Sequence, residues 1–123
     1  MICGVSVPFR PRRLRKLGYI YLGYIYSGMA TDHHSVYVVY LRNPKGDGRA
    51  GYYVGMTGLT PEQRFKNHKT GIKAARVVKT YGVRLVPKLF AHLNPMPYAK
   101  ALEMEAMLAE SLRKRGYAVY GGH

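Results

Sequence analysis

Two segments decide the architecture of this chain, namely residues 36–41 (VYVVYL) and residues 51–55 (GYYVG). The first segment is a β-branched and aromatic run without a polar break, which is typical of a central strand buried on both faces. Residues 43–50 (NPKGDGRA), between the two segments, are dense in turn-forming residues. Together the three segments predict a β-hairpin.

The segments that follow predict helices and one further strand. Thr60 is a suitable N-cap, Pro61 suits the first helical position, and Gln63 completes a Thr-x-x-Gln capping box. Gly71 is a natural end for that helix. We further predict a short helix over residues 73–81, a strand over residues 83–93 and a long helix over residues 97–115. This order predicts an α/β (α+β) domain with a small, mainly antiparallel three-stranded sheet flanked by helices.

The charge of the chain favours a polyanionic partner. Twenty Lys and Arg residues stand against six Asp and Glu residues, and the formal net charge is +14 over 123 residues. Nucleic acid is the commonest polyanion in a cell, although a solvated basic surface or a ribosome-like binding protein has a similar composition. Cys3 is the single cysteine, which excludes an intrachain disulfide and a cysteine-based metal cluster. No run of about 18 apolar residues is present, so we expect no membrane partner and a cytoplasmic protein.

The first thirty residues differ from the rest. A basic stretch (residues 10–16) precedes a Tyr-rich apolar stretch (residues 17–30) that contains the near-repeat GYIYL and GYIYS. This order resembles a targeting peptide with an unusual filler in its apolar part. Our preferred interpretation is a leader over residues 1–30, either disordered or an upstream extension before a start at Met29. One folded domain would then cover residues 35–123.

A carboxylate interrupts the apolar face of the predicted long helix. At about 100° per residue, one stripe of this helix is formed by Tyr98, Ala101, Leu102, Leu108, Ala109 and Leu112. Glu105 falls in the middle of the stripe, whereas Glu103 and Glu110 lie on the opposite face. A carboxylate that faces a core is costly unless it is paired, hydrogen-bonded or bound to a metal. The helix face alone leaves open whether Glu105 is a metal ligand or part of a buried ion pair.

Two further pairs of residues are candidates for chemistry. Arg64 and His68 are four residues apart and share one face of the capped helix. Tyr37 and Tyr53 lie on adjacent predicted strands and can meet on one face of the sheet. Arg64 and His68 have an ordinary alternative, namely two solvated polar residues on a helix surface. For Tyr37 and Tyr53 the ordinary alternative is coincidence, since the chain contains twelve tyrosines.

In combination these residues resemble the GIY-YIG nucleases. Ser35-Val36-Tyr37 stands where that family has Gly-Ile-Tyr at its first strand, and Tyr53-Val54-Gly55 stands where it has Tyr-Ile-Gly. Arg64 and His68 match the family's Arg and His on the next helix, and Glu105 matches its metal-binding Glu on a later helix. The resemblance runs from about residue 35 to the end of the sequence.

The resemblance implies a metal-dependent endonuclease that hydrolyses phosphodiester bonds in DNA, with RNA as an open alternative. Glu105 would hold one Mg²⁺ or Mn²⁺ ion, and Arg64 would bind the scissile phosphate. Tyr37 would accept the proton of the attacking water, while Tyr53 positions water or phosphate. His68 would orient Tyr37 or share the proton transfer.

The resemblance leaves the substrate and its recognition open. We predict that basic side chains bind flanking phosphates, namely Lys66, Lys69, Lys73, Arg76 and Lys79. Because no separate sequence-reading domain is apparent, specificity is expected to be low, directed at nucleic-acid structure, or supplied by a protein partner. A nucleic-acid-binding module with this fold but no catalysis, and a basic RNA-binding or ribosome-associated protein, are the alternatives.

Overall fold

A computed structural model describes residues 32–122 of the chain. The prediction of a leader over residues 1–30 therefore lies outside the described residues. The described elements are β1 (Ser35–Leu41), β2 (Gly51–Thr57), α1 (Pro61–Thr70), α2 (Arg76–Tyr81), β3 (Gly82–Leu85), α3 (Tyr98–Lys114) and β4 (Ala118–Gly121). Two short 3-10 helices, Pro87–Leu89 and Ala91–Leu93, lie between β3 and α3. The α+β class is as predicted.

The sheet has the strand order β3-β1-β2-β4. The predicted hairpin is confirmed, because β1 pairs antiparallel with β2 from Ser35 opposite Thr57 to Leu41 opposite Gly51. The predicted number of three strands is wrong, since β4 adds a fourth strand that runs parallel to β2. The other two pairings are antiparallel, so the sheet is mainly antiparallel as predicted. Four residues at the end of a chain give no periodic signal. β4 forms because the edge of β2 would otherwise leave its backbone N–H and C=O groups without hydrogen-bond partners.

The strand predicted over residues 83–93 is also shorter than expected. Val86 N–H donates to Val38 O at 2.9 Å, and Pro87 then begins a 3-10 helix. Because proline has no N–H to donate, it ends the pairing there. Beyond the end of this pairing, the backbone of β1 is bonded by the side chain of Asn94. This amide donates to Val36 O at 2.7 Å and accepts from Val36 N at 2.9 Å.

Thr60 and Gly71 begin and end α1 as predicted, but Gln63 does not complete the capping box. Its side chain instead donates from Nε2 to Asn67 Oδ1 at 3.0 Å. Thr60 Oγ1 accepts a hydrogen bond from Gln63 N at 3.1 Å, and Gly71 ends the helix in the left-handed conformation with φ of 92°. The next helix begins at Arg76 rather than at residue 73, because Lys73 also has a positive φ, of 47°. A helix cannot continue through that conformation.

The core surrounds β1, where every residue except Tyr40 is buried, and it includes Val78 of α2 and Phe90 as well as residues of α3. On α3 the buried residues are Ala101, Glu105, Ala109 and Leu112. The position of Glu105 on the buried face is therefore confirmed. Two residues assigned to the same stripe, Tyr98 and Leu102, are 55 % and 40 % exposed, so the stripe is narrower than predicted. No helix in the described part of the chain has the length and apolar character required to cross a membrane.

Candidate active site

Tyr37 lies in the middle of β1, directly opposite Gly55 of β2. Its side chain is only 1 % exposed. A Cβ atom added at position 55 would stand 2.6 Å from Tyr37 Oη and 2.7 Å from its Cζ. The ring therefore lies against the bare backbone of Gly55, and no larger residue fits beneath it. The sequence analysis did not identify this role of Gly55, although the hairpin register pairs the two residues.

His68 of α1 is fully buried and bonded at both ring nitrogens. Its Nε2 is 2.8 Å from Tyr37 Oη, and its Nδ1 accepts a hydrogen bond from Ala75 N at 2.9 Å. Since a backbone N–H can only donate, Nδ1 carries no proton and Nε2 must carry it in the neutral ring. Burial, reinforced by the charge of Arg64, lowers the pKa of His68 to about 4. At neutral pH the imidazole is therefore uncharged and donates to Tyr37.

The hydroxyl of Tyr37 is consequently an acceptor toward His68, and its own proton is directed to another partner. Burial raises the pKa of Tyr37, and the neighbouring Tyr53 and Glu105 raise it further, whereas Arg64 lowers it. Tyr37 is therefore a neutral phenol at neutral pH in the protein alone. Of the two roles considered for His68, this geometry favours orienting Tyr37 over sharing its proton.

Arg64 reaches the same site from the first turn of α1. Its guanidinium group donates from Nη1 to Ile72 O at 3.2 Å and from Nη2 to Lys73 O at 2.8 Å. Its positive charge lowers the pKa of both Tyr37 and Tyr53, which places it beside the two rings. Arginine has five N–H donors. Two carbonyl contacts thus leave donors available for an anion at the site.

A single loop holds both α1 side chains in place. Residues 72 and 73 supply the carbonyl groups that bind Arg64, and residue 75 supplies the N–H that binds His68. These contacts are made by backbone atoms, which every residue type shares. Sequence reasoning could not find them, because no side chain in this loop indicates them.

Tyr53 and Glu105 complete the cluster. The ring centroid of Tyr53 is 6.2 Å from that of Tyr37 and 5.5 Å from that of His68. Burial raises the pKa of Tyr53; Arg64 lowers it and Glu105 raises it. Glu105 is 5 % exposed. The structure thus brings together all five residues predicted for catalysis, from β1, β2, α1 and α3. The nearby Glu103 instead pairs with Lys100 at 3.4 Å, as expected for a surface charge.

The residues around Glu105 fit a divalent ion that takes most of its oxygen ligands from water and substrate, such as Mg²⁺ or Mn²⁺. Among the described residues, no group of three or more His, Cys, Asp or Glu side chains is arranged to hold a metal. Water molecules and substrate oxygens would therefore have to supply the remaining ligands. Mg²⁺ is commonly bound in this way, by one or two carboxylates together with waters and phosphate oxygens. The donor set suits Mg²⁺ or Mn²⁺ and offers no closed site of the kind that structural zinc requires.

The basic residues predicted to bind flanking phosphates fall into two groups. Four of them have exposed side chains along α1, α2 and the loop between them, namely Lys66, Lys73, Arg76 and Lys79. Lys69 differs, because its Nζ donates to Lys79 O at 2.9 Å and to Gly82 O at 2.8 Å. These carbonyl groups lie at the C-terminal end of α2, where cationic side chains stabilise a helix. A phosphate contact by Lys69 would compete with these bonds.

Comparison with known proteins adds no further assignment. No protein-family model matches the chain, and neither a curated protein nor a solved structure matches it. The resemblance to the GIY-YIG nucleases therefore depends on the residues of this chain and on the arrangement described above.

Proposed function

We propose that this protein is a metal-dependent endonuclease that hydrolyses phosphodiester bonds in DNA, with low sequence specificity or selectivity for nucleic-acid structure. The observation that carries the proposal is the cluster of Tyr37, Tyr53, Arg64, His68 and Glu105, in which Tyr37, His68 and Glu105 are buried and the other two are partly buried. These polar groups come from four separate elements and surround one point. Burying polar groups opposes folding, and groups with strongly shifted pKa values in one cluster are typical of functional sites.

The cationic part of the site suits a phosphodiester. Hydrolysis places additional negative charge on the phosphoryl oxygens, and a positioned guanidinium group stabilises that charge. Arg64 is held by two carbonyl groups and retains donors for the scissile phosphate. Three exposed basic residues would bind the flanking phosphates: Lys66 on α1, Arg76 on α2 and Lys73 in the loop between these helices.

The tyrosine chemistry depends on additional positive charge. Tyr37 has a raised pKa in the protein alone, so it cannot accept a proton until it has lost its own. A divalent ion bound at Glu105 would supply the charge that polarises the phosphate and favours ionisation of nearby acids. Once ionised, Tyr37 would be stabilised by the Nε2–H of His68 and by Arg64. Its own proton would pass to bulk water, and the phenolate would then take the proton of the attacking water, while Tyr53 positions that water or the phosphate.

The proposal is tested with Glu105→Gln, which keeps the shape of the side chain but removes its charge. We expect cleavage of supercoiled plasmid in Mg²⁺ to fall by about a hundredfold or more, while binding of the same DNA in Ca²⁺ persists. Mn²⁺ binding measured by electron paramagnetic resonance should weaken in parallel. The matched control, Glu103→Gln, removes a surface carboxylate from the same helix and should retain most of the activity.

Two results would count against the proposal. Equal losses in Glu105→Gln and Glu103→Gln, or no loss in either, would mean that Glu105 is not the ligand. If the unaltered protein binds nucleic acid but cleaves neither linear, branched nor single-stranded DNA nor RNA in Mg²⁺ or Mn²⁺, the non-catalytic binding module is the better assignment.

A further inference from the structure

A second group of tyrosines crosses the sheet on the face opposite Tyr37 and Tyr53. Tyr40 of β1 is paired with Tyr52 of β2 on one side and with Arg84 of β3 on the other. Successive residues of a strand point to opposite faces of a sheet. Tyr52 is therefore on the other face from Tyr53, and Tyr40, three residues after Tyr37, is on the other face from Tyr37.

These rings touch one another and continue beyond the strands. The centroids of Tyr40 and Tyr52 are 6.2 Å apart, and those of Tyr52 and Tyr117 are 5.0 Å apart, with the second pair almost perpendicular. Arg84 Cζ lies 5.1 Å from the ring centroid of Tyr40. We call Tyr40, Tyr52 and Tyr117 the tyrosine row.

The tyrosine row is accessible and surrounded by positive charge. Tyr117 is 41 % exposed, and Tyr40 and Tyr52 are partly exposed. Burial raises the pKa of Tyr52, and Tyr117 and Tyr40 raise it further, whereas the guanidinium groups of Arg84 and Arg115 lower it. Arg115 precedes Tyr117 by two residues in the chain. The loop that begins directly after β1 adds three exposed cations, Arg42, Lys45 and Arg49.

We propose that the tyrosine row, together with Arg84 and Arg115, binds a single-stranded segment of nucleic acid. Aromatic side chains beside arginines are the combination that holds unpaired bases and their phosphates. Bases within a duplex are already stacked on each other, so an exposed ring such as Tyr117 can stack only on a base that is unpaired. An uncharged apolar partner would leave the two guanidinium groups without water and without a counter-charge.

This surface is separate from the proposed active site, and its binding does not require cleavage. The test is therefore made on the full chain in EDTA, with a fluorescein-labelled 15-nucleotide oligothymidylate and fluorescence anisotropy. We expect Tyr117→Leu to weaken binding by about five- to a hundredfold, because stacking on one aromatic ring contributes about 1–3 kcal/mol per base. Tyr117→Phe keeps the ring and should bind within about twofold of the unaltered protein.

Three comparisons separate base stacking from general effects on binding. Tyr98→Leu removes an exposed tyrosine outside the row and should leave the affinity unchanged. An abasic oligomer of the same length keeps the phosphates but has no bases, so the unaltered protein and Tyr117→Leu should bind it equally weakly. Arg115→Gln should weaken oligothymidylate binding more than Lys114→Gln, although each variant loses one charge.

The proposal is overturned if Tyr117→Leu binds oligothymidylate like the unaltered protein, or if it loses the same affinity for the abasic oligomer. Sedimentation velocity of the same variants without nucleic acid tests the other occupant of this face. A dimer that Tyr117→Leu dissociates would assign the tyrosine row to self-association instead. Because none of these measurements involves turnover, their failure would leave the proposed nuclease activity untouched.

Discussion

Ala75→Pro tests the hydrogen-bond geometry of the site through one backbone atom. Ala75 has φ of −73° and ψ of 127°, which a proline adopts without strain. Its carbonyl group accepts from Val78 N and Lys79 N at the start of α2, and proline keeps that carbonyl. The substitution removes the N–H that donates to His68 Nδ1 at 2.9 Å, and the proline Cδ takes the place of that hydrogen, so the imidazole must also move away from it.

The expected magnitude follows from the burial of His68. A buried acceptor that loses its donor costs about 1–3 kcal/mol, and the restriction that proline places on the unfolded chain offsets about 0.4–1 kcal/mol of that. Overpacking of the proline Cδ against the buried imidazole adds about 1–3 kcal/mol, so the net loss of stability should be about 1–5 kcal/mol. Without the Ala75 N–H, Nδ1 is no longer held as an acceptor, and the imidazole can carry its proton on Nδ1 as well as on Nε2. In the Nδ1–H form, Tyr37 would have to donate its proton to Nε2, and its hydroxyl would no longer be held as an acceptor.

Long-range proton–nitrogen correlation spectra of ¹⁵N-histidine-labelled protein at pH 7 show which ring nitrogen of His68 carries the proton. The unaltered protein should show the Nε2–H form of His68, and Ala75→Pro should show a substantial Nδ1–H population together with slower plasmid cleavage. Ala75→Gly retains the N–H and is the matched control, which should keep the original tautomer. An Nδ1–H form in the unaltered protein, or an unchanged tautomer in Ala75→Pro, would refute the reasoning.

Two further predictions concern stability. Gly55→Ala places a methyl group 2.6 Å from Tyr37 Oη and should destabilise the protein by about 1–3 kcal/mol in urea unfolding. Gly58→Ala is the control and should not, because the atom nearest to its methyl group would be His34 Nε2 at 3.7 Å. Because burial lowers the pKa of His68 to about 4, below its usual value near 6.5, the unfolded chain binds a proton first as the pH falls. Stability should therefore decline by up to about 3 kcal/mol from about pH 6.5 to pH 4. His68→Gln should show a smaller decline over that range, and an identical slope would contradict this explanation.

Local chemistry determined the elements that the sequence predicts correctly. The uninterrupted apolar run of β1, the turn residues that follow it and the N-cap at Thr60 each act on their immediate neighbours. For the same reason helical periodicity alone identified Glu105 as a carboxylate on the buried face of α3. The list of five site residues came from the resemblance, and their roles in catalysis remain predictions.

The tertiary structure decided the features that depend on atoms distant in the sequence or common to all residues. The parallel strand β4 exists because β2 offers a free edge, a fact that four terminal residues do not reveal. The fit of Tyr37 over Gly55 requires the register of two strands. The tautomer of His68 depends on the backbone N–H of Ala75, and the position of Arg64 depends on two backbone carbonyl groups. Backbone groups are the same for every residue type, so only the folded chain shows which side chain each of them binds.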